Sequence, residues 1–253
     1  MTLKVLITAG AGGIGRAITR AYIEKGAAVH VVDISAAAVE SLKFEFPEVT
    51  ASIANISQAE DVARVFDDVR SVLGGLDVLI NNAGIAGSTE PAEQYGVDVW
   101  ESVMAVNLTG TFRITREAIP LLRASDSASI IVMSALAGRF GYPNRIAYST
   151  SKWGLIGFTK TLSMELGPHG INVNAILPGA VAGPRFDAVV AGRAALSGKS
   201  VEEELDAALG LQSLKQLVHP ADIAALALFL TGPHGKAISG QILPMDGDSK
   251  STV

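Results

Sequence analysis

The run Val5-Leu6-Ile7-Thr8-Ala9-Gly10-Ala11-Gly12-Gly13-Ile14-Gly15 decides the fold. Lys4 to Thr8 read as a buried strand, the glycine-rich segment as a tight loop, and Ile14 to Lys25 as a helix that begins at once. Such a loop lets backbone approach a ligand without Cβ clashes and aims the free N–H groups of a helix N-terminus at an anion, with Gly10, Gly13, Ile14 and Gly15 as the candidate contacts. A diphosphate fits that description. A second strand, Ala28 to Val32, runs into Asp33, eighteen residues beyond Gly15, where a nucleotide-binding crossover presents an acid to the adenosine ribose hydroxyls. Asp33 would repel a 2′-phosphate, and Ile34 and Ser35 bring no cation to attract one, so NAD is expected over NADP. The N-cap of the next helix, from Ala36, falls more naturally to Ser35 than to Asp33.

Outward from this unit, short β-branched runs keep alternating with longer helical patterns. Further strands are expected at 50–54, 78–80, 129–133, 172–177 and 241–244, and helices at 36–46, 59–73, 97–122, 147–166 and 221–230. Strand, helix, strand repetition implies parallel pairing with right-handed crossovers and a sheet covered on both faces. No linker rich in Pro, Gly and Ser divides the chain, so residues 1–253 read as a single α/β domain with seven strands. The segment 184–214 breaks the alternation with mixed charges and its own helical pattern, and is expected to lie over the open edge of the sheet.

Composition narrows the function classes. With 49% of residues hydrophobic and 18% charged, 253 residues can build a sizeable core. A net charge of −5 and the lack of any basic run argue against nucleic acid or an anionic membrane as partner. Cysteine is absent, which excludes disulfides and thiolate chemistry. The apolar start carries no cleavage pattern, and 223–230 is too short to span a bilayer, so a cytoplasmic protein is expected. His30, His169, His219 and His234 are scattered without ligand spacing, so no metal site is expected, and each reads as surface or local capping. Trp100 and Trp153 read as core or subunit packing, and Ser251-Thr252-Val253 as a frayed tail.

The chemistry concentrates in Tyr148-Ser149-Thr150-Ser151-Lys152, with Ser134 upstream. On a helix, residues four apart share a face, which sets an ammonium beside a phenol and favours the phenolate. Lowering a free phenol from roughly 10 to near 7 takes about 4 kcal/mol, within reach of one close cation and a second. A phenol so tuned passes a proton to or from an alcohol at neutral pH.

Four separated patterns now stand together: the Thr8 to Gly15 loop, Asn81-Asn82-Ala83-Gly84, Ser134, and Tyr148 with Lys152. Over Leu3 to Gly247 the chain resembles the short-chain dehydrogenase/reductase family, in its classical branch. The resemblance implies a three-layer α/β/α Rossmann fold with a doubly wound, mostly parallel seven-stranded sheet. It implies Tyr148 as general acid/base and Lys152 as the residue that tunes it and holds the nicotinamide ribose. Ser134 resembles the residue that steadies the substrate oxygen, and Asn107 the asparagine that holds a water joining Lys152 to solvent. Asn82, Ala83 and Gly84 resemble the turn beside the adenine-ribose half of the cofactor, and Pro178, Gly179 and Val181 the loop against its carboxamide. Asn55 and Ile56 fall where the family contacts adenine. A homo-oligomer, tetramer or dimer, through helices 97–122 and 147–166 is implied as well.

Ala9 replaces the family's first loop glycine, Asn55 an aspartate, Gly183 a threonine and Asp248 a glycine; none of these is a catalytic group. The implied reaction is reversible hydride transfer between a secondary alcohol and the nicotinamide, with a small-molecule alcohol or ketone as substrate. Arg139, Phe140 and Tyr142 are expected at the outer wall of the site, under a lid formed by 184–214. Arg185 is a candidate for a substrate carboxylate or phosphate, or else a surface arginine paired with Asp187. A small polar hydroxy acid or sugar-like alcohol is preferred to a long acyl chain. Two other readings remain, an NADP-linked 3-oxoacyl thioester reductase and an NAD-sensing regulatory protein; Asp33 speaks against the first, Tyr148 and Lys152 against the second.

Overall fold

The computed structural model describes residues 2–252, the side chain of Arg185 excepted. The β-branched runs form β1 (Lys4–Thr8), β2 (Ala28–Asp33), β3 (Thr50–Ile53), β4 (Val78–Asn81), β5 (Ser129–Met133), β6 (Asn172–Pro178) and β7 (Ile242–Met245), each within one residue of its expected bounds. They pair in the order β3-β2-β1-β4-β5-β6-β7. All six pairings between these strands are parallel.

Alternation along each strand divides the core into two layers. Leu6, Leu79, Ile130, Val132, Val173 and Ala175 face α3 (Ala59–Val72), α5 (Thr111–Arg123) and α6 (Ile146–Leu166), meeting Val65, Phe66, Ile114 and Leu162. Val5, Ile7, Val78, Ile80, Ile131 and Ile176 face the other way, toward α1 (Gly13–Glu24), α2 (Ala36–Glu45) and α9 (Pro220–Thr231). Each fully buried Leu, Ile or Phe contributes roughly 1.5–3 kcal/mol, which explains why strands apolar on both faces sit at the centre. Tyr22 of α1 bonds Thr231 of α9 at 2.6 Å, oxygen to oxygen, and its burial pushes the phenol up.

From β1 the chain winds to β2 and β3 on one side, then returns to β4 on the other. The reversal opens a crevice at the carboxyl ends of β1 and β4, where this topology binds its ligands. The helix expected over 97–122 is divided into α4 (Val97–Met104) and α5 by a π-helical turn at Ala105–Gly110. The segment 184–214 carries α7 (Pro184–Ser197) and α8 (Val201–Gly210), the latter begun by a Ser200/Glu203 capping box. Its end is tied to the C-terminal loop, where Leu214 N–H donates to Gly247 O at 2.9 Å and Ser213 Oγ to Asp248 Oδ2 at 2.6 Å.

His30 departs from its expected surface place. It is 2% exposed on β2, and its ring nitrogens lie 2.8 Å from Thr50 Oγ1 and 2.8 Å from Ser52 Oγ on the neighbouring β3. Burial pulls its pKa down to about 4, only partly opposed by Asp68. Ser35 does cap α2, its Oγ accepting from Ala38 N–H at 3.2 Å.

Candidate active site

The loop after β1 is held by its own neighbours. Asn82 Nδ2 donates to Thr8 O and to Ala9 O, both at 3.1 Å, while Thr8 Oγ1 accepts from the N–H groups of Asn82 and Ala83, both at 3.0 Å. Asp33 Oδ2 accepts from Ala11 N–H at 3.1 Å and its Oδ1 from Ser35 N–H at 3.0 Å, so this carboxylate joins loop and turn as well as facing the crevice. Two of the glycines, Gly10 and Gly15, are required by packing. A Cβ on Gly10 would stand 2.9 Å from both Val31 methyl groups, and one on Gly15 only 2.0 Å from Ala9 O. A Cβ on Gly12 or Gly13 would meet nothing within 4 Å, because these two border open space at the start of α1, which no side chain caps. Its first N–H groups therefore face the crevice, with the positive end of the helix dipole behind them.

At the opposite wall, α6 sets Tyr148 and Lys152 one turn apart. Lys152 Nζ lies 5.7 Å from the Tyr148 ring centre and donates to Met133 O at 2.8 Å, although its residue is only 3% exposed. Ser134, at the carboxyl end of β5, donates its hydroxyl to Lys152 O at 2.8 Å. A Cβ on Gly138 would fall 2.5 Å from that hydroxyl, so the position cannot carry a side chain. Asn107 is fully buried inside the π-helical turn, where its amide pairs with Ile85 N–H (2.8 Å) and Ile85 O (3.0 Å). Its Nδ2 also donates to Ser151 Oγ at 2.9 Å, and Ser151 Oγ donates to Tyr148 O at 2.7 Å. Asn107 is thus tied through Ser151 to the helix turn that carries Tyr148, a link the sequence does not reveal.

Gly13, Ile14, Asp33, Asn82, Gly84, Ser134, Tyr148, Lys152, Pro178, Gly179 and Val181 line one cavity of about 550 Å³. Gly84 stands where a Cβ would come 3.2 Å from Asn107 Oδ1 and 3.4 Å from Lys152 Nζ. Ala83 holds the loop through Thr8. Asn55 and Ile56 do not reach the cavity: Asn55 Oδ1 accepts from Ser57 N–H at 3.0 Å and from its hydroxyl at 2.8 Å, and Ile56 packs beneath Gly110.

The substrate side differs most from expectation. Tyr142 lines the cavity, but Arg139 does not; its guanidinium lies 3.9 Å from Asp246 Oδ2 and stacks 5.1 Å from Phe140. The side chain of Arg185 lies outside the described residues. Two arginines not anticipated from sequence, Arg145 and Arg193, take the wall instead. Arg145 is 4% exposed, with its guanidinium 5.3 Å from the Tyr148 ring centre and 5.7 Å from that of Tyr142. Arg145 is the N-cap residue of α6, just ahead of the helix that carries Tyr148. Arg193 of α7 donates to Tyr142 Oη at 2.5 Å. Ser251 and Thr252 also line the cavity, and Thr252 Oγ1 bonds Gly141 O, so the end of the described chain is packed and not frayed. Val253 lies outside the described residues.

Among the described residues no group of three or more His, Asp or Glu is placed to hold a metal, and no helix is long and apolar enough to cross a membrane.

Residues 3–193 match the family model described as short chain dehydrogenase. The D-beta-hydroxybutyrate dehydrogenase of Cupriavidus necator is 32% identical over 249 residues, covering 96% of this chain and 95% of the relative. The 3-oxoacyl-(acyl-carrier-protein) reductase of Thermotoga maritima is 32% identical over 246 residues, covering 96% and 95%. Among solved structures, NAD+-bound xylitol dehydrogenase superposes with a TM-score of 0.93 at 26% identity, covering 97% of this chain and 98% of that one.

Proposed function

The chain belongs to the short chain dehydrogenase family, and we propose that within it the protein is an NAD-dependent oxidoreductase that interconverts a small polar secondary alcohol and its ketone. Action on a CH–OH group follows from its relatives; the choice of cofactor and substrate is the proposed part. One observation carries it: a single cavity joins Tyr148, Lys152 and Ser134 at one end to the uncapped start of α1 and Asp33 at the other.

The residues present fit a dinucleotide. Gly12 and Gly13 leave the room a diphosphate needs, the N–H groups of α1 supply donors, and Asp33 suits a ribose diol and opposes a 2′-phosphate. When bound, the nicotinamide accepts or returns the carbinol hydride. Tyr148 takes the hydroxyl proton from the alcohol as that C–H bond breaks, and returns it in the reverse direction. The Lys152 ammonium, fixed on Met133 O, stands 5.7 Å from the centre of the Tyr148 ring. The Ser134 hydroxyl supports the substrate oxygen, turning from Lys152 O to do so. NAD is supported further by the xylitol dehydrogenase likeness, and a hydroxy acid or polyol by the names of two similar proteins. The 3-oxoacyl relative keeps an NADP-linked thioester reductase as the competing reading, against which Asp33 stands.

In the same reading, residues 184–214 act as a lid, hinged where Gly183 adopts φ 138° and ψ 173°, a conformation reserved for glycine. Assembly as a dimer or tetramer uses the α5 and α6 surface, where Phe112, Trp153 and Met164 are 50%, 49% and 79% exposed. The protein acts in the cytoplasm. The test is an absorbance screen for reduced cofactor over secondary alcohols, hydroxy acids and sugars, with NAD beside NADP. Turnover with NAD is expected; equal or faster turnover with NADP overturns the role given to Asp33.

A further inference from the structure

Arg145 and Arg193 are a cationic pair at the reacting end of the cavity for which hydride transfer itself has no use. Both border the main cavity and a smaller adjoining one of about 250 Å³. Arg145 is 4% exposed, and its Nε is buried without a hydrogen-bond partner. One of its remaining donors, Nη1, meets Thr89 Oγ1 at 3.0 Å. Neither arginine forms an ion pair with a described carboxylate. Glu204, the acid bordering the smaller cavity with them, accepts instead from Ser197 Oγ at 2.6 Å. The guanidinium groups are held by aromatic faces: Arg145 by Tyr142 and Tyr148, Arg193 by Tyr142 at 5.1 Å.

A buried guanidinium without a counter-ion is costly, and stacking on a ring offsets only part of that cost. The fork of a second arginine on α7 beside it suits a planar anion held at two points. Stacking against Tyr148 itself brings that anion close to the reacting carbon. We propose that Arg145 and Arg193 form a carboxylate-binding subsite, and that the substrate is a short hydroxy carboxylate whose acid group lies a few bonds from the carbinol. This rests on the dehydrogenase reading for turnover, but binding of the carboxylate does not. Arg145 supplies the fixed contact from the start of α6, and Arg193 the contact that arrives with α7.

The experiment compares short hydroxy carboxylates, each with its own primary amide, as substrates of the whole protein with NAD. A charge-assisted pair predicts kcat/KM for the acid roughly 10- to 100-fold above that for the amide. Arg145→Gln brings this ratio close to one, Arg145→Lys restores part of it, and Arg193→Gln lowers it less, through KM. Equal rates for acid and amide in the wild type, or a preference untouched by Arg145→Gln, overturn the proposal. A second measurement needs neither variant nor turnover: butyrate, butyramide and inorganic phosphate are titrated into the NAD-loaded protein and followed by tryptophan fluorescence. Tighter binding of butyrate supports the subsite even if no alcohol is oxidised, an outcome that would sink the dehydrogenase reading alone. Butyramide binding as well as butyrate, or phosphate binding better, sinks the subsite and leaves the dehydrogenase reading standing.

Discussion

The two ends of the cavity are built on opposite principles. At the cofactor end every fixed polar group is already used: Asp33 holds Ala11 and Ser35, Thr8 holds Asn82 and Ala83, and Asn82 holds the carbonyls of Thr8 and Ala9. What faces the ligand there is mainly backbone, the N–H groups of a helix start, with the already bonded Asp33 carboxylate beside them. At the substrate end the wall consists of side chains, with cations stacked on tyrosines and no carboxylate partner for Arg145 or Arg193 among the described residues. A site made of backbone suits one invariant ligand, and a site made of side chains can be altered residue by residue without disturbing the fold. The difference suggests that cofactor binding and substrate choice are separable by mutation.

The largest expected effect tests that separation directly. Tyr148→Phe removes only the phenolic oxygen and should lower kcat by roughly 10³-fold or more, since a positioned acid/base contributes 10²–10⁴. NAD affinity, measured by fluorescence titration, should change little because the groups holding the loop are at the other end. Loss of NAD binding along with activity would break the comparison. Unchanged turnover would remove Tyr148 from the chemistry.

A smaller effect probes the cofactor end from behind. His30, on the strand that ends in Asp33, has a pKa drawn down to about 4 by burial, against 6.5 in the unfolded chain. Protons therefore bind the unfolded form preferentially, and stability is complete above pH 6.5. It falls as pH drops toward 4, by at most about 3 kcal/mol. Denaturant midpoints measured across that window should show the decline, and His30→Gln should flatten it. A wild-type profile that is flat from pH 6.5 to 4.5 would show that the imidazole is not held neutral.

These two residues also mark how far the sequence could be read. Strand positions were legible because a parallel sheet needs continuous apolar runs such as Ser129 to Met133, and the crossover order followed from their alternation with helices. Tyr148, Lys152 and Ser134 were legible because their roles depend on spacing and on strand ends. His30 was not, since its partners Thr50 and Ser52 are supplied by the register of β2 on β3. Arg145 was missed for a similar reason. Its burial depends on Thr89 in a distant loop and on two tyrosine rings, none of which a helical pattern reveals. The π-helical turn around Asn107 is a backbone hydrogen-bonding feature that side-chain spacing over 97–122 does not encode, and the Asn107 bonds to Ile85 join residues 22 apart in sequence.

The smallest expected effect concerns departures in glycine placement, which fall on both sides of the comparison. Ala9 and Asp248 stand where the resembling family has glycine, and both keep the left-handed backbone a glycine would supply, at φ 50° and φ 58°. Ala9 is fixed there because its N–H donates to Val32 O at 2.6 Å while its carbonyl receives Asn82. A non-glycine residue held in this region carries strain of about 1 kcal/mol, set against a gain of similar size from restricting the unfolded chain. Strain exceeds that gain where φ is positive, so Ala9→Gly should stabilise the protein by about 0.5 kcal/mol and raise Tm by a degree or two. Gly183→Ala is the counterpart at the substrate end, where φ 138° admits only glycine and the loss should be larger, about 1–3 kcal/mol. Thermal melts of the two variants with and without NAD make the final test. Ala9→Gly should leave the cofactor-induced shift in Tm intact, because the loop is already set by Asn82 and Thr8. A smaller shift would mean that Ala9 strain is part of how the loop meets its ligand, and that the cofactor end is less self-sufficient than its hydrogen bonds indicate.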